Sequence, residues 1–264
     1  ETGPEPTFDL MTMSRDGSGF LLTAGGDVCL GSIDVLSLPT PSHLSKADLV
    51  VANLECALTR VSEPARAKPF LFRAPPSSAR LLEAAGFDGF SLANNHSGDF
   101  GDAGRRETAD SLGKFGLAHF DLDPWEVDAT PHGRLAFFGI NYVENEDWRS
   151  DSETLGERMA VAKAEGATVI VFAHWGQEYT VLTTDEQREH ARWLVDRGAD
   201  VVIGTGPHRL QPLDFYRGRP VFYSLGNAYF PPRGPMPEGF HEAHWAGVRF
   251  GRHGRVRARL IGRD

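Results

Sequence analysis

Five short polar segments in this chain each follow an apolar run: Gly26-Asp27, Asn53-Leu54-Glu55, Asn94-Asn95-His96, His174-Trp175-Gly176-Gln177-Glu178 and Gly204-Thr205-Gly206-Pro207-His208. Taken singly, Asp, Asn and His in such places are turn formers and helix caps. Taken together they supply two carboxylates (Asp27, Glu55), an amide (Asn95) and two imidazoles (His174, His208). That mixture of oxygen and nitrogen donors suits Mn, Fe or Zn. A divalent ion so held could acidify a water and polarise a carbonyl or phosphoryl oxygen, so the chemistry expected is metal-assisted hydrolysis.

The elements that must position these residues follow an α/β grammar. Apolar runs at 20–25, 48–53, 87–93, 167–173 and 200–204 read as strands, and 77–85, 152–165 and 185–196 as helices, ended by Gly86, Gly166 and Gly198. In open α/β sheets the carboxyl ends of the strands are where sites form. After Pro207 the pattern changes to turn-linked strands at 213–216, 221–225, 246–250 and 256–261, which predicts a second sheet. Residues 1–18 lack periodicity and read as a poorly ordered lead-in. The remainder, 19–264, reads as a single domain, with 231–237 as a proline-rich surface loop.

Composition narrows the function classes. With 264 residues, 41% hydrophobic and 24% charged, the chain is neither disordered nor fibrous. A net charge of -9 argues against a general nucleic-acid binder, which needs clustered positive charge. No apolar run approaches the roughly 20 residues of a membrane span. Only Cys29 and Cys56 are present, and a core of this size needs no disulfide. The first residues, from Glu1, lack the basic start and apolar run of a signal peptide, which favours a cytoplasmic setting unless a leader or anchor has been removed. Oligomeric state is not legible.

From about Thr23 to Phe230 the chain resembles the CapA family, the poly-γ-glutamate capsule-synthesis proteins, whose fold is similar to that of calcineurin-type metallophosphoesterases. The resemblance rests on Gly-Asp at 26–27, Asn-Leu-Glu at 53–55, Ala-Asn-Asn-His-x-x-Asp at 93–99, His-Trp-Gly-x-Glu-Tyr at 174–179, Gly-Ala-Asp-Val-Val-Ile-Gly at 198–204, Pro-His at 207–208 and Tyr-Ser-Leu-Gly-Asn at 223–227. It implies an α/β fold, a two-sheet β-sandwich flanked by helices, with the metal held by Asp27, Glu55, Asn95, His174 and His208. It further implies a hydrolase of an amide or phosphate ester, linked in bacteria to poly-γ-glutamate or related acidic peptides. The substrate would be an acidic peptide or a phosphorylated small molecule. The alternative is a non-catalytic, metal-binding component of a capsule-polymer assembly.

In the phosphoesterase pattern His96 stands over the substrate as general acid, with Asp99 fixing its tautomer. Otherwise the two cap the helix beginning near Asp102. Glu178 is a candidate base, or a holder of a substrate amine, or an ordinary loop carboxylate. Asn94, Ser224 and Asn227 are expected to line the site. Two departures stand out: Cys29 occupies a position where phosphoesterases carry His, and Gly206 one where relatives often do. Both remove imidazole donors, so one tightly bound ion is expected rather than two. Cys29 is then a soft ligand or inert packing. His241 and His244 either add a ligand or are solvated, and Arg255, Arg257 and Arg259 form a solvated strand face.

Overall fold

The structure is a computed structural model that describes residues 19–31, 38, 40–130, 133–231, 236, 238–251 and 256–262. The lead-in at 1–18 and most of the proline-rich loop at 231–237 lie outside the described residues.

The first half builds β1 (Phe20–Val28), β2 (Leu49–Leu54), the short β3 (Ala57–Leu58) and β4 (Arg73–Ala74), α1 (Ala79–Ala84), β5 (Gly89–Ser91), α2 (Gly101–Lys114) and β6 (Ala118–Phe120). There follow β7 (Trp125–Thr130), β8 (Gly133–Asn141), α3 (Trp148–Ala164), β9 (Thr168–His174), α4 (Asp185–Asp196) and β10 (Val201–Thr205). The chain ends with β11 (Leu213–Tyr216), β12 (Arg219–Phe222), β13 (Asn227–Tyr229), β14 (Trp245–Phe250) and β15 (Val256–Ile261).

Two sheets form the body. One runs β15-β14-β1-β2-β5-β6, with β13 beside the end of β1; the other runs β11-β12-β10-β9-β8-β7. Their central pairs are parallel, so the carboxyl ends of β1, β2 and β5 gather at one place and those of β9 and β10 at another. Alternation along each strand explains the layering. In β9, Ile170 and Phe172 join the core between the sheets, whereas Val169, Val171 and Ala173 meet Leu155, Met159 and Leu194 of α3 and α4. In β2, Val51 faces the other sheet while Val50, Ala52 and Leu54 pack toward Leu82 of α1 and Leu112 of α2. The result is the expected helix-sheet-sheet-helix order, an α/β sandwich.

The boundaries of α4, β11 and β15 coincide with the sequence reading. Helix α4 is held by a reciprocal cap in which Thr184 and Gln187 satisfy each other's backbone N–H. One expectation is corrected. The C-terminal strands do not form a sheet of their own: β11 and β12 extend the second sheet beyond β10, and β14 and β15 extend the first beyond β1. A free parallel edge is an unsatisfied row of backbone groups, and each antiparallel pair covers one. The second sheet instead begins with the β7–β8 hairpin, which the sequence reading did not identify.

Candidate metal centre

The Gly-Asp segment works through backbone contact. Gly26 lies so close to the Gly226 carbonyl that a Cβ has no room, and that carbonyl accepts the Asp27 N–H at 2.9 Å. The Asp27 side chain is thereby fixed at the end of β1, fully buried, in register with Asn53 of β2 and Asn227 of β13. Asn53 Nδ2 donates to Asp27 Oδ1 at 2.8 Å, and the N–H of Gly206 donates to Oδ2 at 3.1 Å. Gly206 has φ 109, and a Cβ there would stand 2.7 Å from the Trp175 carbonyl. At the position where the resemblance led to the expectation of an imidazole, this chain therefore offers a backbone donor in a space that admits no side chain.

The five expected ligands converge. Asp27, Glu55 and His208 each present a donor atom within 4.8 Å of the others, all three buried. His208 Nδ1 is 3.2 Å from Asp27 Oδ2 and 3.8 Å from Glu55 Oε2. His174 places Nδ1 against Thr205 Oγ1 at 3.0 Å, which turns Nε2 toward Glu55 Oε1 at 3.6 Å and Asn95 Oδ1 at 3.0 Å. His208 holds φ 56, a left-handed conformation that costs a non-glycine residue about 1 kcal/mol or more. Asn227 steadies it by sharing a hydrogen bond with Nδ1 at 2.9 Å.

The electrostatics of this group are unfinished. Burial, and then the neighbouring charge of Asp27, push the Glu55 carboxyl well above the usual carboxylate range, and its Oε2 is buried without a hydrogen-bond partner. Burial also opposes the charge of Asp27, but His208, His174 and Asn53 together bring its pKa below the ordinary value. His174 is pushed down to about 4, chiefly by burial, and so is neutral with a lone pair to give. For His208 burial works the other way from Glu55 and Asp27, and the two carboxylates win, raising it to about 10. The His208 imidazolium thus lies 3.2 Å from Asp27 and 3.8 Å from Glu55, and Glu55 Oε2 is left without a hydrogen bond; a divalent ion between the two carboxylates would displace the imidazole proton and free its lone pair. That donor set fits a divalent cation.

Beside it lies a group that is complete. His96 Nδ1 is 2.8 Å from Asp99 Oδ2, which also accepts the Phe72 N–H at 2.9 Å. Lys68 Nζ reaches Asp99 Oδ1 at 3.2 Å and the Asn95 carbonyl at 2.9 Å. Burial opposes the Asp99 charge, yet these bonds from His96 and Phe72, aided by Lys68, hold its carboxyl below the usual range. The ring of Phe72 covers His96 at a centroid distance of 4.1 Å. Helix α2 receives no side-chain cap, so His96 and Asp99 do not serve as caps.

The remaining expectations divide. Asn94 spends its side chain on Asn53, Leu54, His96 and Ser97, and so locks the turn that carries Asn95 and His96. Ser224 is fully buried and its hydroxyl accepts the Gly226 N–H, so it shapes a turn and does not face the cleft. Asn227 acts on His208, as above. Glu178 is exposed and hydrogen-bonded to Tyr179; its charge reaches Glu55, but it stands outside the converged group. Cys29 is buried against Cys56, burial with that neighbour raises its thiol far above the ordinary value, and it stands outside the group formed by Asp27, Glu55 and His208. His241 is exposed, His244 bonds the Glu242 carbonyl, and neither joins the cluster. Arg257 and Arg259 are exposed as expected, and Arg255 is outside the described residues.

Four contributors have no role of their own in the sequence reading: Asn53, Thr205, Lys68 and Phe72. Asn53 and Thr205 were visible as neighbours within the strand-end segments. Lys68 lies in an irregular stretch whose pattern says nothing of its destination.

Among proteins of known family, residues 36–232 match the model of the bacterial capsule synthesis protein PGA_cap. The PGA biosynthesis protein CapA of Bacillus subtilis is 29% identical over 206 residues, 70% of this chain and 53% of that protein. The capsule biosynthesis protein CapA of Bacillus anthracis is 24% identical over 250 residues, covering 82% and 61%. A probable polyglutamine synthesis accessory protein of Mycobacterium tuberculosis is 28% identical over 208 residues, covering 68% and 55%. The chain thus spans between about half and three-fifths of the length of these relatives. The solved structure of the anchor in the inner membrane complex of Plasmodium covers 93% of this chain at 11% identity and a TM-score of 0.45, a likeness too slight to support any reading.

Proposed function

The chain belongs to the bacterial capsule synthesis protein family PGA_cap, and on that premise we propose that it is a metal-dependent hydrolase cleaving an amide in an acidic, γ-linked glutamyl peptide. The observation that carries the reading is the buried cluster of Asp27, Glu55 and His208 with one carboxylate oxygen left unpartnered, set beside a finished His96–Asp99 pair. Relatives named for PGA and polyglutamine synthesis support the substrate class.

When bound, a divalent ion supplies Lewis acidity, polarising the scissile carbonyl and lowering the pKa of a water. Asp27, Glu55 and His208 would hold it, with neutral His174 and Asn95 as flanking donors. The Gly206 N–H and Asn53 fix the orientation of Asp27, and Asn227 fixes that of His208. His96 moves the proton: Asp99 occupies Nδ1, which leaves Nε2 to protonate the departing amine. Phe72 and Lys68 keep that pair dry and in place.

The second reading, a non-catalytic component of a capsule-polymer assembly, draws on the donors missing at Cys29 and Gly206. His96→Ala separates the two. The hydrolase reading expects unchanged metal content and a kcat lower by about 10²- to 10⁴-fold at matched loading, the usual worth of a proton donor. The assay measures amine release from γ-glutamyl oligomers, with a panel of phosphomonoesters alongside. No turnover of any of these by the metal-loaded wild type sinks the hydrolase reading; phosphate release alone moves the reaction to phosphate esters.

A further inference from the structure

A cavity of about 540 Å³ opens beside Asn94 and Asn95, next to the converged donors. Its wall carries three guanidinium groups and several carboxylates, most of which satisfy one another. Arg66 pairs with Glu144 at 3.1 Å and Arg158 with Asp123 at 2.6 Å, while Asp99 is taken by His96 and Lys68. Three charges, the exposed Arg105 and the half-buried Asp121 and Asp151, have no partner of opposite charge among the described residues. Arg105 has no carboxylate within ion-pair distance, and Asp121 and Asp151 have no cation, among the described residues. Among the described residues the Asp121 side chain accepts only the Asp123 N–H, and that of Asp151 only the Asn145 amide, so each has an oxygen to spare.

Arg105 is placed there by the turn that bears the site. Its guanidinium lies over Gly98, two residues after His96, where a Cβ would come within 3.0 Å of it. Arg105 and Asp121 also both line a second cavity, of about 220 Å³, so they are neighbours that face common space without pairing. One free cation and two free anions facing one cavity do not suit a polyanion. They match a ligand that carries an ammonium and a carboxylate together.

We propose that this cavity, lined by Arg105, Asp121 and Asp151, is a subsite for the head group of an α-amino acid: the free amino end of a γ-linked glutamyl peptide. In such a chain only the amino-terminal residue has an ammonium and a carboxylate on one carbon. Interior residues have a carboxylate and an amide nitrogen, and would bring negative charge against Asp121 and Asp151. The subsite therefore selects chain ends and directs cleavage to the amino end. The peptide's identity rests on the hydrolase reading above; the charge pattern of the subsite does not.

Calorimetric titration of the metal-free full chain tests it, with γ-glutamylglutamate, its N-acetyl derivative and the analogue whose amino-terminal α-carboxylate is an amide. The free dipeptide is expected to bind and each blocked form to bind at least about tenfold more weakly, as loss of one charge-assisted hydrogen bond implies. Arg105→Ala should weaken the free dipeptide by a similar factor and abolish discrimination against the amide, with Arg105→Lys recovering part of it. Asp121→Asn with Asp151→Asn should abolish discrimination against the N-acetyl form. Equal binding of the free and N-acetyl forms, an unchanged Kd in Arg105→Ala, or no binding of any probe overturns the proposal. Because no metal or turnover enters the measurement, failure of the hydrolase reading would show separately, as uncleaved peptide at full metal loading.

Discussion

Two adjoining groups at the carboxyl ends of the strands treat buried charge in opposite ways. Around Asp99 every charge is answered from within the chain, by His96, the Phe72 N–H and Lys68, and the carboxyl is held below its ordinary pKa. Around Glu55 the chain stops short, leaving an unpartnered oxygen, a carboxyl well above its ordinary pKa and a histidine in a strained backbone conformation. A buried carboxylate oxygen without a hydrogen bond is costly, and one that stands beside a second buried carboxylate suits a cation from outside. The paired group needs nothing added, and can devote itself to holding one imidazole still.

Asp99→Asn strikes the comparison hardest. Lys68 and Asp99 are almost wholly buried, and removing one partner of such a pair costs about 3 kcal/mol. Urea denaturation should show this loss while metal content stays at the wild-type level. Metal loss in Asp99→Asn would mean that the two groups are one unit. The pH dependence follows from the depressed folded pKa of Asp99: its contribution is full above about pH 4 and is lost as the pH falls through the folded value. The stability gap between wild type and Asp99→Asn should therefore close in acid.

Glu55→Gln should show a smaller effect of opposite sign. In the metal-free protein the raised folded pKa of Glu55 means that ionisation opposes folding, a penalty that grows as the pH rises above about 4.3. Metal-free Glu55→Gln should equal the wild type in acid and exceed it in stability at neutral pH. A variant less stable than the wild type at neutral pH would show that Glu55 is already satisfied, and the contrast would fall.

The strand-end donors were legible because a polar residue terminating an apolar run is a local signal, and parallel strands bring their carboxyl ends together. Asp27, Glu55, Asn95, His174 and His208 could be read for that reason, as could the helices closed by Gly86, Gly166 and Gly198. Lys68 and Phe72 could not. Their value lies in contacts made across the chain with Asp99 and His96, and no local pattern records such contacts. Glycine positions were misleading in one respect: Gly206 reads as a missing imidazole, whereas its N–H binds Asp27 and its φ excludes any side chain. The partition of the C-terminal hairpins between both sheets was hidden too, since which edge a hairpin covers depends on strands far away in sequence. Arg105 carries no local signal in the sequence, and only its place in the cavity wall sets it apart.

Elemental analysis of the purified chain, after supplementation with Mn, Fe and Zn in turn, tests the central claim most directly. Close to one ion per chain is expected in the wild type and almost none in folded Asp27→Ala or His208→Ala. The ion is also expected to stabilise the wild type by about 2.7 kcal/mol at a hundred times its Kd and to leave both variants unchanged. A wild type that takes up no ion under any supplement, or variants that keep the wild-type stoichiometry, would contradict the claim.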